Sequence, residues 1–564
     1  MKLKRRVFLA TLAAALLLSA FSVLAQNRTE FDRPQTFDAQ HYTIRVAFDR
    51  SQKKVLGDTT VSVKPLKPGF RTLELDAVGL AFESVALEPT GSKLEYKTAE
   101  GKVIVTLDRA YGPEETIAVR FKYSASPKKG IYFVDASNGE NGHSAQIWTQ
   151  GEPDEARHWF PSFDFPSDKA TTEELITADK GETVIGNGEF LGKVDAADGK
   201  ETWHFKMPVP HSTYLVSFIV GKYSRVDDQY RGIPLGSYVY PGREKTAQTA
   251  FGPTKEMMQV FEEVTGVLYP YNKYDQTIVA KFQFGGMENI TATTMADSEI
   301  FFGDFEFGKG VVTDLVSHEL AHSWFGNLVT CRNWAELWLN EGFATYMEAV
   351  YRERKLGRDA YVQKVQMDAD EFLGNDSMTG RRHGLYNLRA GEVDKLFDNA
   401  SVTYNKGGVV LHMLREQVGT ENFWKAVNVY LNRHKFAGVG TEDLKTAMEQ
   451  ASGQDLDWFF DQWVYHSGAP RLSVTSKYSA AKKTITITVT QTQKADAIVP
   501  AAFRLPLEFE VDTASGPVNK DVEVTKRTET FTIKLRSKPT LLKLVPDFKT
   551  PAKTVKIAKI VYAK

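Results

Sequence analysis

The sequence has one cysteine, Cys331, in 564 residues. That excludes an intramolecular disulfide framework and every multi-cysteine metal site, so any metal must be held by histidines and carboxylates. It also has no excess of either charge: 70 Lys+Arg stand against 71 Asp+Glu, for a formal net charge of -1. No field of one sign is available to hold nucleic acid or another polyanion. Past the N-terminus no apolar run reaches the length of about 18 residues that spans a bilayer, and there is no internal repeat or low-complexity tract.

The one long apolar run is residues 7–25. It follows Lys2, Lys4, Arg5 and Arg6 and closes on Val23-Leu24-Ala25. A basic segment, an apolar segment and a small-residue ending form a secretory signal peptide over residues 1–25, with the mature chain beginning at Gln26. An uncleaved anchor is the competing reading, and a lipoprotein is excluded because no cysteine follows. Arg5-Arg6-Val7-Phe8-Leu9 is similar to a twin-arginine signal as well as to an ordinary basic segment, so the route is open. The expectation is an exported protein, periplasmic or secreted, with no stable membrane insertion after cleavage.

The remaining length suits three or four domains. Alternation such as Tyr42, Ile44, Val46, Phe48 predicts an antiparallel β domain over 26–225. The period then becomes helical over 226–467, with apolar residues three and four apart in 256–264, 311–324, 343–354, 361–372 and 408–418, and some strand near 277–282. Alternation returns in 484–489 and at Phe503, Leu505, Leu507, Phe509, Val511. Residues 468–564 therefore read as a small β-sandwich, and the fold class is multidomain α+β.

Chemistry concentrates in the helical middle. His318-Glu319-Leu320-Ala321-His322 puts two imidazoles four residues apart on one helix face, with Glu319 on the same turn. Glu341, separated from His322 by eighteen intervening residues, completes a His2Glu set that leaves one zinc position open; a purely structural site would be closed by a fourth protein ligand. A buried, satisfied helix with Glu341 as a cap is the structural alternative. Taken alone, Gly285-Gly286-Met287-Glu288-Asn289 is a loop with an exposed acid, and Tyr404 is a packing residue at the start of a helix. Cys331 reads as a buried, inert thiol.

In combination these segments resemble the M1 family of zinc metallo-aminopeptidases. Tyr269-Pro270-Tyr271, Lys273-Tyr274-Asp275, Gly285 to Asn289, His318 to His322 with Glu341, and Tyr404-Asn405-Lys406-Gly407 stand in the family's order and spacing. With the segment from Trp148 to Pro166, the likeness covers about residues 36–470. The resemblance implies a saddle-like N-terminal β domain, a thermolysin-like catalytic domain and a C-terminal β-sandwich. It also implies one Zn2+ per chain on His318, His322 and Glu341, and peptides with a free N-terminus as substrates.

Carried residue by residue, the resemblance makes Glu319 the general base toward a metal-activated water and Tyr404 the oxyanion donor. Glu288, within Gly285, Gly286, Met287 and Asn289, becomes the anchor of the substrate's α-amine, joined by Gln150 and Glu152. An ammonium taken from water into a pocket needs such charge-assisted partners. A zinc endopeptidase, a hydrolase of epoxides or other non-peptide substrates, and a non-catalytic scaffold are the alternatives. The chain departs from the family in having only about 94 residues after Pro470, in place of a large helical domain over the cleft. It also has Ser162 where many relatives carry Cys, and Asn333-Trp334-Ala335-Glu336-Leu337-Trp338 in place of a paired-tryptophan form.

Overall fold

The structure is a computed structural model that describes residues 28–139, 141–378, 382–544 and 554–563. The expected signal peptide lies outside the described residues. Residues 33–564 form one compact unit, and the following concerns that unit.

The strand-like first third forms an eight-stranded sheet, a four-stranded sheet and a three-stranded sheet. Burial alternates along Phe37–Asp49 and Lys54–Pro65, so one face of each strand enters the core and the other faces solvent. The expectation of a purely antiparallel domain needs one correction. Phe37–Asp49 pairs with Ala170–Asp179 in parallel, His41 opposite Thr171, and with Lys54–Pro65 in antiparallel fashion. The physical reason is connection length: a hairpin forces antiparallel pairing, whereas a strand arriving 120 residues later is free to add in either sense.

Between the strands and the helices lies a mixed five-stranded sheet, in the order Ser224–Tyr230, Ile233–Val239, Tyr274–Val279, Ala292–Ala296, Gly286–Met287. The expected boundary at residue 225 falls within its first strand. Its central strand Tyr274–Val279 is buried throughout yet carries Asp275, Gln276 and Thr277. That polar stretch conceals it from a search for apolar runs. Two of its buried polar side chains are paired: Asp275 accepts from Lys273 Nζ at 2.7 Å and Gln276 donates to Thr254 Oγ1 at 3.0 Å.

The helices are α1 (Glu244–Phe251), α2 (Thr254–Thr265), α3 (Asp297–Phe302), α4 (Lys309–Ala321), α5 (Trp338–Leu356), α6 (Arg358–Met378), α7 (Gly407–Val418), α8 (Thr420–Arg433) and α9 (Thr441–Ser452). Helix α5 is the hub: it packs on α4, α6 and α7, and its first thirteen residues except Glu348's side of the helix are buried among them. After Gly468-Ala469-Pro470 the chain forms a five-stranded and a three-stranded sheet, with inward Leu472, Val474, Ile485, Ile487 facing Leu505, Phe509 and Val511 in the core. No helix among the described residues is long and apolar enough to cross a membrane.

Candidate active site

The site forms where α4, α5, the edge strand Gly286–Met287 and the end of the first β layer converge. The C-terminal half of helix α4 is interior, with His318 and Glu319 buried on it and His322 buried at its C-terminal cap. His318 and His322 lie one turn apart, with ring centroids 4.9 Å from each other. Glu341 stands in the first turn of α5, and one of its oxygens lies 3.2 Å from His318 Nε2 and 3.4 Å from His322 Nε2. The three ligand atoms lie within 4.8 Å of one another.

The remaining ring nitrogens are engaged elsewhere. His318 Nδ1 meets Glu348 Oε1 at 2.8 Å, and His322 Nδ1 meets the Phe325 carbonyl at 2.9 Å. Both partners are acceptors, so both Nδ1 atoms carry a proton and both Nε2 atoms are directed at Glu341, the orientation metal ligation requires. Burial alone would keep the two rings neutral. The surrounding carboxylates outweigh it, and His318 is pushed up to about 9 by Glu341 and Glu348, while His322 is raised well above the usual imidazole value by Glu288 and Glu341. The cluster draws positive charge to the point between the two Nε2 atoms, and a His2Glu set with no thiolate fits Zn2+ there.

Glu319 follows His318 and faces the same cleft. Burial pushes its carboxyl up to about 8 against the pull of His318 and His322. Its Oε2 is buried and makes no hydrogen bond within the protein, leaving a lone pair for a reacting water. Glu319 is kept in place by close packing. A Cβ on Gly286 would lie 2.2 Å from Glu319 Oε1, so only glycine lets the edge strand pass so near.

Glu288 closes one end of the cleft. Its backbone carbonyl accepts from Asn327 Nδ2 at 2.9 Å, and Tyr214 donates its hydroxyl toward Glu288 Oε1 at 3.4 Å. Glu152 reaches the same point from the first β layer: ligand oxygens of Glu152, Glu288 and Glu341 lie within 4.8 Å of one another. Burial raises both Glu152 and Glu288, and each raises the other or is raised by Glu341. Two crowded acids of this kind recover their charges when a cation settles between them.

The arm that carries Gln150 and Glu152 is fastened to the mixed sheet. Trp148 Nε1 donates to the Ala280 carbonyl at 3.2 Å, and Ala280 N–H donates to Gln146 Oε1 at 3.0 Å. Gly151 then passes Tyr214 so closely that a Cβ would fall 2.1 Å from the Tyr214 carbonyl oxygen. Gln150 donates to Met287 Sδ at 3.3 Å, while its Oε1 is buried and unpaired within the protein. Tyr404 sits in a π-helical turn, Val402–Lys406, that runs into α7. Its ring stacks at 5.9 Å on His318. Burial and four nearby carboxylates, Glu341 first, raise its pKa well above the usual phenol value, so it keeps its proton and can donate.

One cleft of about 890 Å3 collects Gln150, Glu152, Gly285, Gly286, Met287, Glu288, the three zinc-directed residues, Glu319 and Tyr404. Asn289 lies outside its wall. The Asn289 amide donates to Thr294 Oγ1 at 3.0 Å and braces the edge strand. Sequence reasoning missed Glu348, Lys364 and Tyr214. Glu348 lies seven residues past Glu341, two turns along the same helix face, a spacing that was open to inspection. Lys364 binds Glu348 at 2.9 Å and Asp368 at 2.8 Å. Tyr214 has no signal in the sequence and arrives through the tertiary fold. Cys331 is buried, and burial raises its thiol well above the usual value, as suits an inert residue.

Comparison with known proteins agrees with this geometry. Residues 249–463 match the Peptidase family M1 domain, residues 38–215 the Peptidase M1 N-terminal domain, and residues 468–556 a domain of unknown function with an Ig-like fold. The chain is 31% identical to Aminopeptidase 2, mitochondrial, of Saccharomyces cerevisiae over 449 residues, which cover 77% of this chain and 46% of that protein. It is 29% identical to Probable aminopeptidase 1 of Saccharolobus solfataricus, covering 80% and 56%, and 29% identical to Glutamyl aminopeptidase of Bos taurus, covering 80% and 49%. The chain thus spans about half the length of the curated relatives it matches.

Proposed function

The chain belongs to peptidase family M1, and from that premise we propose that it is a zinc-dependent aminopeptidase that removes the first residue of peptides. The observation that carries this reading is the position of Glu152 and Glu288. Their oxygens lie within 4.8 Å of the Glu341 ligand oxygen, whereas an α-amine is separated from its own carbonyl carbon by only two bonds of about 1.5 Å each. An ammonium held by these acids therefore presents the first peptide bond, and no later one, to the metal position. A chain continuing beyond the amine would meet Tyr214 and the buried end of the cleft.

Zinc held by His318, His322 and Glu341 would supply Lewis acidity toward the scissile carbonyl and toward water. The chain's own residues do the rest. Glu288 and Glu152, with Gln150, hold the ammonium and set the register. Glu319 takes a proton from the attacking water at its free Oε2 and returns it to the leaving amine. Tyr404 donates its hydroxyl to the oxygen on which charge develops. Glu348 and the Phe325 carbonyl fix the tautomers of the two histidines.

The test is a panel of aminoacyl fluorogenic amides, each beside its N-acetylated twin, with and without a zinc chelator. Cleavage of the free-amine members alone, stopped by chelation, is expected. Equal cleavage of the acetylated twins would overturn the amine anchor and favour an endopeptidase. Glu319→Gln should retain zinc, measured by elemental analysis, and lose turnover; near-normal activity would remove Glu319 from its role.

Export is part of the proposal. The basic residues 2–6 and the apolar residues 7–25 support a mature chain beginning at Gln26, and mass spectrometry of the isolated protein tests this. An intact Met1 would overturn it.

A further inference from the structure

Helix α4 carries more than zinc-directed residues on its cleft face. Val311, Leu315, His318 and His322 follow one another at three- and four-residue spacing along that face, and all four line the cleft. The same stripe continues outward by one turn to Phe307. Residues Glu306–Gly308 form a helical turn that runs directly into α4, with Gly308 at φ -86 and ψ -21. Phe307 therefore stands at i-4 from Val311, on the face that leads to the metal position.

Phe307 is not alone there. Its ring is 5.2 Å from Phe302 and stacks on Phe305 at 5.6 Å with an angle of 22° between planes. Phe305 is 58% exposed, Phe307 75% and Val311 51%, although most large apolar side chains of this unit are buried. Two turns hold the cluster rigid: Phe305 N–H donates to the Phe302 carbonyl and Gly308 N–H to the Phe305 carbonyl. An ordered aromatic shelf in water, one helical turn from the cleft-lining Val311, needs an apolar occupant.

We infer that this shelf is a subsite of the cleft that receives an apolar side chain from the leaving part of the peptide. The inference rests on the aminopeptidase reading above. The amine end of the cleft is closed by Glu152, Glu288 and Tyr214, so the leaving segment must run the other way. Along α4, Phe307 lies eleven residues before His318, about 16 Å at 1.5 Å per residue. An extended peptide advances about 3.3 Å per residue, so the fourth or fifth residue past the cleaved bond reaches the shelf. Met367 on α6, 52% exposed, adds another exposed apolar side chain to the cleft lining. The substrate class is thus peptides of about six residues or more with an aromatic or large aliphatic side chain at position five or six.

The experiment uses heptapeptides identical except for Phe or Ser at positions five and six, beside the tripeptide made of their first three residues. Binding is measured by calorimetry on the full chain carrying Glu319→Gln, with and without Phe305→Ser and Phe307→Ser. The Phe peptide should bind about tenfold more tightly than the Ser peptide. The double serine variant should erase that difference, leave tripeptide affinity unchanged, and, with Glu319 restored, cleave short aminoacyl amides at the parental rate. Equal affinity of the two heptapeptides for the parent, or a difference that survives the serine variant, overturns the inference. So does a change of sedimentation mass in the variant with unaltered peptide binding, which would make the shelf a contact between copies of the chain. Because binding is read without turnover, absence of amide cleavage by the parent together with a preserved Phe effect would overturn the aminopeptidase reading and leave the subsite standing.

Discussion

His318 is gripped from both sides, by the metal-directed Glu341 on Nε2 and by Glu348 on Nδ1. Glu348 is itself held by Lys364, so the imidazole cannot turn without breaking a buried ion pair. Glu348→Gln keeps the shape but weakens the acceptor, and zinc affinity should fall about 10- to 100-fold. Competition against a chromophoric chelator measures this, and an unchanged affinity would show that Glu341 and His322 suffice. A second residue acts on stability. Glu174 is buried in Ala170–Asp179; burial pushes its carboxyl up to about 8, with the Asn187 N–H and Lys273 pulling the other way. Because the folded value lies above the unfolded one near 4.5, the stability linked to this proton is complete below about pH 4.5 and is lost as pH rises through 8. Glu174→Gln retains an acceptor without the charge, so it should raise Tm by roughly 2–4 °C at pH 9 and hardly at all at pH 5, read by scanning calorimetry. The metal residues were legible at this scale because ligand spacing on a helix is a property of sequence. Glu348 was legible in principle and Tyr214 was not, since nothing local distinguishes a tyrosine that will meet Glu288 across 74 residues.

Between elements, the spacing of Tyr404 from the metal position is set by two glycines. A Cβ on Gly407 would lie 2.7 Å from the Gly342 Cα, and one on Gly342 would lie 2.9 Å from the Gly407 Cα. Helices α5 and α7 touch there backbone to backbone. Gly342 follows Glu341 directly, and Gly407 closes the π turn that bears Tyr404, so this contact joins the zinc-directed Glu341 to the proposed oxyanion donor Tyr404. Gly407→Ala should destabilise the fold by about 1–3 kcal/mol and, by moving Tyr404 outward, lower kcat about 10- to 100-fold. Denaturation and steady-state kinetics test the pair; a parental kcat would mean that the tyrosine tolerates the shift. Helix periods predicted these elements well: the expected 343–354 and 408–418 lie inside α5 and α7. The π turn was not predicted, because its extra residue is accommodated by packing against α5 and α6 and leaves no mark in the apolar spacing. Gly286–Met287 was read as a loop for a similar reason. Two residues carry no period, and only pairing with Ala292–Ala296 makes them a strand.

For the molecule as a whole, net charge near zero conceals a strong local imbalance. Among the described residues facing the cleft, nine are carboxylates and one is a lysine, and that Lys364 is already engaged by Glu348 and Asp368. The two positive charges of a bound zinc ion would still leave the cleft acidic. Peptides with Lys or Arg at positions two and three should therefore show higher kcat/KM than their Asp or Glu counterparts. Raising ionic strength from about 0.01 to 0.5 M should narrow the gap as screening shortens the reach of the field. A matched peptide series read by mass spectrometry checks this, and equal rates at low salt would mean that the acids are neutralised by one another.

Sequence alone determined the His-His-Glu group that fits a metal, the order of β-rich, helical and β-sandwich regions, and the family likeness. Each of these is carried by spacing along the chain: imidazoles four residues apart, alternation in strands, and segments in a fixed order. Tertiary structure alone decided the parallel partner of Phe37–Asp49, the convergence of Glu152 and Glu288 beside Glu341, and the approach of Gly342 to Gly407. It also decided the run of α4 from the zinc position to an exposed aromatic shelf. Those are relations between segments far apart in sequence, set by which surfaces bury together and how closely their backbones can pack. No local pattern encodes them.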